Sequence, residues 1–253
     1  MIARIALVTL AAALWLAAYR LPLRSARRRQ RVRLAIASRT GIPARYALPI
    51  AGTATYLCLG LLAVFGVAAA SGVHLIRLLA WRLSLPGLAL LVLAMLGAHA
   101  LTGFAMTLVR TVSPRSDIAT AVTRVRWIQQ TLELPGAWRW LVPMASAGLE
   151  EYFFRGVALA ALAGAGLPLW ACVVVAGGLF TTGQTMLASG PLAALVLAVS
   201  SVVLSLVGGA LTICLGSALP AMVVHASFAG YYTRSAFARS RAGGAQPRAA
   251  LRA

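Results

Sequence analysis

The sequence predicts an all-α protein, a polytopic transmembrane helical bundle, and three observations predict it. The chain of 253 residues is 61% hydrophobic and only 11% charged, with a mean hydropathy of +0.87. A soluble domain of this size needs far more charge to cover its surface. Apolar runs near the length of about 20 residues that crosses a bilayer recur along the chain. Between these runs lie most of the arginines, which account for the whole basic excess of +19 because there is no lysine. Positive-inside topology explains that charge better than nucleic-acid binding does, so the lipid bilayer is the expected partner and nucleic acid is not. The absent lysine reads as codon bias, and the expected location is the plasma membrane of a bacterium.

Seven spans follow, at residues 2–18, 46–70, 85–109, 141–164, 167–187, 192–216 and 218–237. The first has a weak basic start and strong arginines after it, so it reads as a retained helix rather than a cleaved signal. The last four follow one another with very short connections, which predicts antiparallel neighbours. No internal repeat is evident, which speaks against an inverted-repeat transporter. The chain therefore divides into a first helix with a basic linker (1–45), two further spans (46–117), an interfacial amphipathic segment (118–140), a core of four helices (141–237) and a basic tail (238–253).

Arginine placement orients the bundle. Nine arginines lie between Tyr19 and Arg45, five between Arg110 and Trp140, and five from Arg234 onward. Seven alternating helices put all three groups on one side, which predicts a cytoplasmic C-terminus and an N-terminus outside. The stretch 118–134 is too polar to span and reads as one helix lying on the cytoplasmic leaflet. Trp15, Trp81 and Trp170 read as interfacial belt tryptophans, and Cys58, Cys172 and Cys214 as small core residues without pairing or zinc spacing.

The functional signal is the stretch from Leu149 to Gly156. The chain has four acidic residues, Asp117, Glu133, Glu150 and Glu151, and the last two sit side by side within an apolar span, four and five residues before Arg155. Burying charge there costs several kcal/mol per group, so a functional site is the default reading and a pairing that only locks helices is the alternative. At roughly 100° per residue Glu151 and Arg155 share a helical face, the spacing that favours an ion pair, while Glu150 points elsewhere. A carboxylate kept away from bulk water suits a general base.

Two later spans carry further polar groups. Gln184 shares a face with Phe180, and alone it reads as an interhelical hydrogen bond. His225 lies well inside the last span, where it is either a satisfied core residue or part of a site. His99 reads as structural. By depth, Glu150, Gln184 and His225 could meet in one cavity roughly 12 Å tall, counting about 1.5 Å per helical residue.

These residues resemble the CPBP (Abi) family of intramembrane proteases, which includes the type II CAAX prenyl endopeptidases. That family shows E-E-x-x-x-R, then F-x-x-x-H, then H-x-x-x-N in successive spans. The first motif is complete here as Glu150, Glu151 and Arg155. The second is Phe180 to Gln184, with glutamine in place of histidine. The third begins at His225 but has Ala229 in place of asparagine. The resemblance covers about 141–232 and implies peptide-bond hydrolysis: Glu150 as the base that activates water, His225 as an oxyanion donor, and Glu151 and Arg155 as support for the helix. Gln184 can orient water but cannot accept a proton. Tyr232, Thr181 and Thr182 are candidates to compensate for the two departures. Zinc is possible by analogy with family members, but two glutamates and one histidine suit it poorly, and no cofactor is expected.

The expected function is thus an intramembrane endopeptidase acting on membrane-anchored or hydrophobic peptides, with reduced activity if nothing compensates. The rivals are an inactive family member that binds or escorts membrane peptides and, third, a transporter lined by Glu150 and Arg155.

Overall fold

The computed structural model describes residues 1–20, 25–115, 117–123 and 125–249, and among them every regular element is helical. In chain order these are α1 (Ile2–Arg20), α2 (Ala26–Thr40), α3 (Ala44–Ser71), a short 3-10 turn (Leu75–Leu79), α4 (Leu85–Val112), α5 (Ile118–Thr123), α6 (Arg126–Glu133), α7 (Trp138–Glu151), a π-helical stretch (Tyr152–Ala158), α8 (Leu159–Ala163), α9 (Leu169–Thr185), α10 (Pro191–Leu215) and α11 (Leu219–Ala249). The all-α bundle is as predicted.

Among the described residues four helices are long and apolar enough to cross a membrane: α1 over Ile2–Tyr19, α3, α4 and α10. Helix α3 and helix α4 have 28 residues each, enough for about 42 Å at 1.5 Å per residue against a hydrocarbon core of about 30 Å. Helix α4 is started by Ser84, whose hydroxyl accepts a hydrogen bond from the Gly87 N–H, with Pro86 in the first turn. The expected fourth span is one rod of three segments, α7, the π stretch and α8, while α9 is a shorter apolar helix of 17 residues. Helix α11 runs beyond the expected end at residue 237, to Ala249.

Polarity is inverted relative to a soluble protein. Leu62 and Phe65 of α3, Leu93, Leu96 and Phe104 of α4, and Leu206 of α10 are exposed, while Glu150, Glu151 and Arg155 are buried. An apolar exterior of this extent marks a membrane-facing surface, and the chain is a membrane protein. The π stretch lies at the centre, touched by α3, α9, α10 and α11. Close packing of α9 on α10 depends on Gly177, where an added Cβ would stand 2.8 Å from the Ser205 Cβ; small residues let membrane helices approach in this way.

Several expectations change. Residues 118–134 do not form one continuous helix. Val125 is extended and separates α5 from α6, and Val122, Val125 and Ile128 turn inward against Ala193 and Val196 of α10. The basic linker contains α2, none of whose residues is buried. Trp15 is no belt residue: it is buried, and its indole N–H donates to the Tyr56 carbonyl at 2.9 Å. Of the cysteines only Cys172 is buried; Cys58 and Cys214 are exposed. Arg24, Arg124 and residues 250–253 lie outside the described residues.

Candidate active site

The two glutamates end α7, where the helix widens into the π stretch that carries Arg155. Such widenings recur at functional sites in helices, and no sequence signal announces this one. Glu151 and Arg155 form the expected ion pair, Nε to Oε2 at 3.1 Å, with both side chains almost fully buried. The guanidinium Nη2 donates to Ser205 Oγ at 3.0 Å, and the Ser205 hydroxyl donates in turn to the Ser201 carbonyl at 2.6 Å. One face of the guanidinium lies over the Phe180 ring, 4.3 Å from its centroid. Burying two ions costs several kcal/mol each, and this surrounding of hydrogen bonds and ring contact offsets the cost. Gly208 of α10 makes the approach possible, since a Cβ there would stand 3.1 Å from Glu151 Oε2.

Glu150 turns to the other side, as the helical spacing predicts. Tyr56 Oη donates to its Oε1 at 2.5 Å, and Gln184 Nε2 donates to Oε2 at 3.0 Å. His225 bridges the two carboxylates: Nδ1 is 2.9 Å from Glu151 Oε1, and Nε2 is 3.8 Å from Glu150 Oε2. The expected convergence of Glu150, Gln184 and His225 is therefore present. All three line a cavity of about 110 Å³ together with Phe180, Ala229 and Tyr232. Leu187 and Leu197 add apolar wall, while Trp127, Gln130 and Thr131 of α6 close one side. Space, a carboxylate and an imidazole around one hollow can move a proton to and from a molecule held there.

Other candidates fare differently. Tyr232 reaches the cavity, with its hydroxyl 3.0 Å from Ser200 Oγ. Thr181 is not among the lining residues, and its hydroxyl is buried without a hydrogen-bond partner; Thr182 is exposed. Neither joins the site. His99 pairs with Ser227 at 3.2 Å and stacks on Phe228 at 4.2 Å, a structural setting. Tyr56 is the functional neighbour that sequence reasoning misses. A phenol inside the second apolar run is a visible oddity, yet nothing local points it at Glu150.

The donor set does not suit zinc. Glu151 Oε1 meets His225 and both Glu150 oxygens meet Tyr56 and Gln184, while Glu151 Oε2 makes no hydrogen bond but lies against the Arg155 guanidinium, whose positive charge disfavours a cation beside it. Among the described residues no three His, Cys, Asp or Glu side chains are grouped to hold a metal ion. A catalytic zinc needs three such ligands and an open position.

Residues 133–230 match the family model for Type II CAAX prenyl endopeptidase Rce1-like proteins. The matched segment contains Glu150, Glu151, Arg155, Gln184, His225 and Ala229, and it excludes Tyr56. The match supports a CAAX-protease-like family of membrane peptidases and agrees with the motif resemblance. No curated protein and no solved structure matches the chain.

Proposed function

From a core that matches the type II CAAX prenyl endopeptidase family, we propose that this protein is an intramembrane endopeptidase in which Glu150 activates water against a peptide bond of a membrane-associated or lipidated peptide. The observation that carries the reading is the buried carboxylate of Glu150 on the wall of a cavity shared with Gln184 and His225. A charge kept in an apolar interior with its own hollow is there to handle a proton. Tyr56 fixes one oxygen of that carboxylate and Gln184 steadies the other, so the base is held in one rotamer. No step runs through a metal. Substrates approach laterally from the bilayer, and the hollow opens to the cytoplasmic side by the arginine distribution.

Turnover is reduced relative to a complete family site. A missing acid–base partner costs about 10²–10⁴-fold, and a missing oxyanion donor about 10²–10³-fold. Gln184 and Ala229 stand where the family has histidine and asparagine, and these two departures favour the second reading, a binder of membrane peptides that does not cut them. A comparison of membrane peptides from cells carrying the wild type and Glu150→Gln separates the two. Intact precursors accumulating in the variant, at equal protein level, support the endopeptidase. Identical peptide profiles with an unchanged cellular phenotype leave the binder.

A further inference from the structure

We propose that His225 is the proton carrier of this site, delivering a proton from Glu150 to the leaving amine while Glu151 holds the ring, rather than the oxyanion donor that the resemblance implies. The proposal rests on the endopeptidase reading and gives one of its residues a different task.

The argument is one of tautomers. Glu151 Oε2 pairs with the buried guanidinium of Arg155 at 3.1 Å, and Oε1 lies 2.9 Å from His225 Nδ1. An ionised carboxylate only accepts hydrogen bonds, so the ring proton belongs on Nδ1. In the neutral ring Nε2 then carries no hydrogen. It is an acceptor, and it faces Glu150 Oε2 across 3.8 Å. An oxyanion donor needs an N–H aimed at the substrate from the start, and the neutral ring does not offer one at Nε2. A carboxylate on Nδ1 with the opposite nitrogen free is instead the arrangement that lets an imidazole take up and release a proton. Gln184, at the place of the family's second-motif histidine, cannot do so. Apart from tyrosines, whose ordinary pKa is about 10, His225 and Glu150 are the titratable groups on the cavity wall among the described residues.

The steps balance. Glu150 takes one proton from water as the water oxygen adds to the peptide carbonyl carbon. That proton passes from Glu150 to Nε2, and the ring becomes an imidazolium held at Nδ1 by Glu151. The C–N bond breaks as Nε2 gives the proton to the departing nitrogen, and a carboxylic acid and an amine result. The present separation is longer than a hydrogen bond, as catalytic contacts commonly are before substrate tightens them.

Two probes test it on the full chain in proteoliposomes. Both belong to a library of palmitoylated hydrophobic acyl segments, joined through a peptide bond to a fluorescent peptide in one form and through an ester bond to para-nitrophenol in the other. A nitrophenolate leaves without help from an acid, whereas an oxyanion forms in both reactions. In His225→Gln, peptide cleavage should fall about 10²–10⁴-fold and ester cleavage by less than about tenfold. Equal losses on both probes overturn the carrier role and leave the endopeptidase standing. A wild type that cleaves neither probe overturns the endopeptidase and the carrier with it. Histidine nitrogen NMR on isotope-labelled wild type, with the His225 signal assigned by its loss in His225→Gln, needs no activity. A ring protonated on Nδ1 alone supports the proposal, and a hydrogen on Nε2 in the resting protein overturns it.

Discussion

Helices α7 to α11 and helices α1 to α4 meet at Glu150 and contribute to it unequally. The first group carries the proposed chemistry: Glu150, Glu151, Arg155, Gln184 and His225 all lie within the segment that matches a peptidase family. The second group lies outside that match yet closes the site, placing Tyr56 Oη on Glu150 and Trp15 behind Tyr56, with the two rings 4.9 Å apart. The groups proposed to react are thus concentrated in one part of the chain, and the groups that hydrogen-bond Glu150 come from both. A family pattern read on the C-terminal helices alone would miss the part of the enclosure that Tyr19, Pro49, Thr53 and Tyr56 supply.

Breaking the ion cluster of the C-terminal group should have the largest effect on the fold. Glu151→Ala leaves Arg155 and His225 facing each other without their shared carboxylate, both of them within the bundle. Removing one partner of a buried pair costs about 3–5 kcal/mol. Unfolding of the detergent-solubilised protein by SDS titration should show a loss of that size, and a loss below about 1 kcal/mol would mean that water already reaches the pair.

The N-terminal contribution is tested by Tyr56→Phe, which deletes one hydroxyl and keeps the ring packed against Trp15 and Tyr19. A hydrogen bond to a charged group is worth about 1.5–3 kcal/mol. The same unfolding titration should report a loss in that range, with slower peptide cleavage at unchanged apparent affinity. Cleavage at the wild-type rate would reduce α3 to a wall.

Restoring the family pattern sharpens the comparison from the other side. Gln184→His with Ala229→Asn puts an acid–base group and an amide donor back on the cavity wall. Cleavage of membrane peptides should rise about tenfold or more, since each group is worth at least that much where it is present. No gain would show that the hollow no longer binds substrate in the geometry that those two groups serve.

The part of this division legible in sequence was the part governed by local rules. Spacing of four residues paired Glu151 with Arg155, and the same helical geometry sent Glu150 to another face; both are present. Apolar runs located the helices because transfer into lipid is decided residue by residue. What stayed hidden depends on contacts between distant segments. Trp15 looks like a belt tryptophan because it lies near the end of its apolar run, and only α3 converts it into a donor for the Tyr56 carbonyl. The stretch 118–134 carries the pattern of a surface helix, and an apolar face gives no hint of whether it meets lipid or α10. The π stretch over Tyr152–Ala158 has no residue signature at all.

The smallest expected effect also bears on the comparison, because it asks whether the N-terminal group holds Tyr56 or only covers it. Trp15→Phe removes the indole N–H that bonds the Tyr56 carbonyl and keeps an aromatic ring against Phe153 and Phe154. One neutral hydrogen bond contributes about 0.5–1.5 kcal/mol. Gly60 shows how tightly this corner is filled, since a Cβ there would stand 2.6 Å from both the Trp15 ring and Leu149. A smaller ring therefore leaves room that Tyr56 can shift into. If the N-terminal helices position the phenol, Trp15→Phe should slow cleavage beyond its modest loss of stability, and combining it with Tyr56→Phe should add nothing further to the rate. Independent, additive losses would mean that Trp15 acts on packing alone and that Tyr56 finds Glu150 without it.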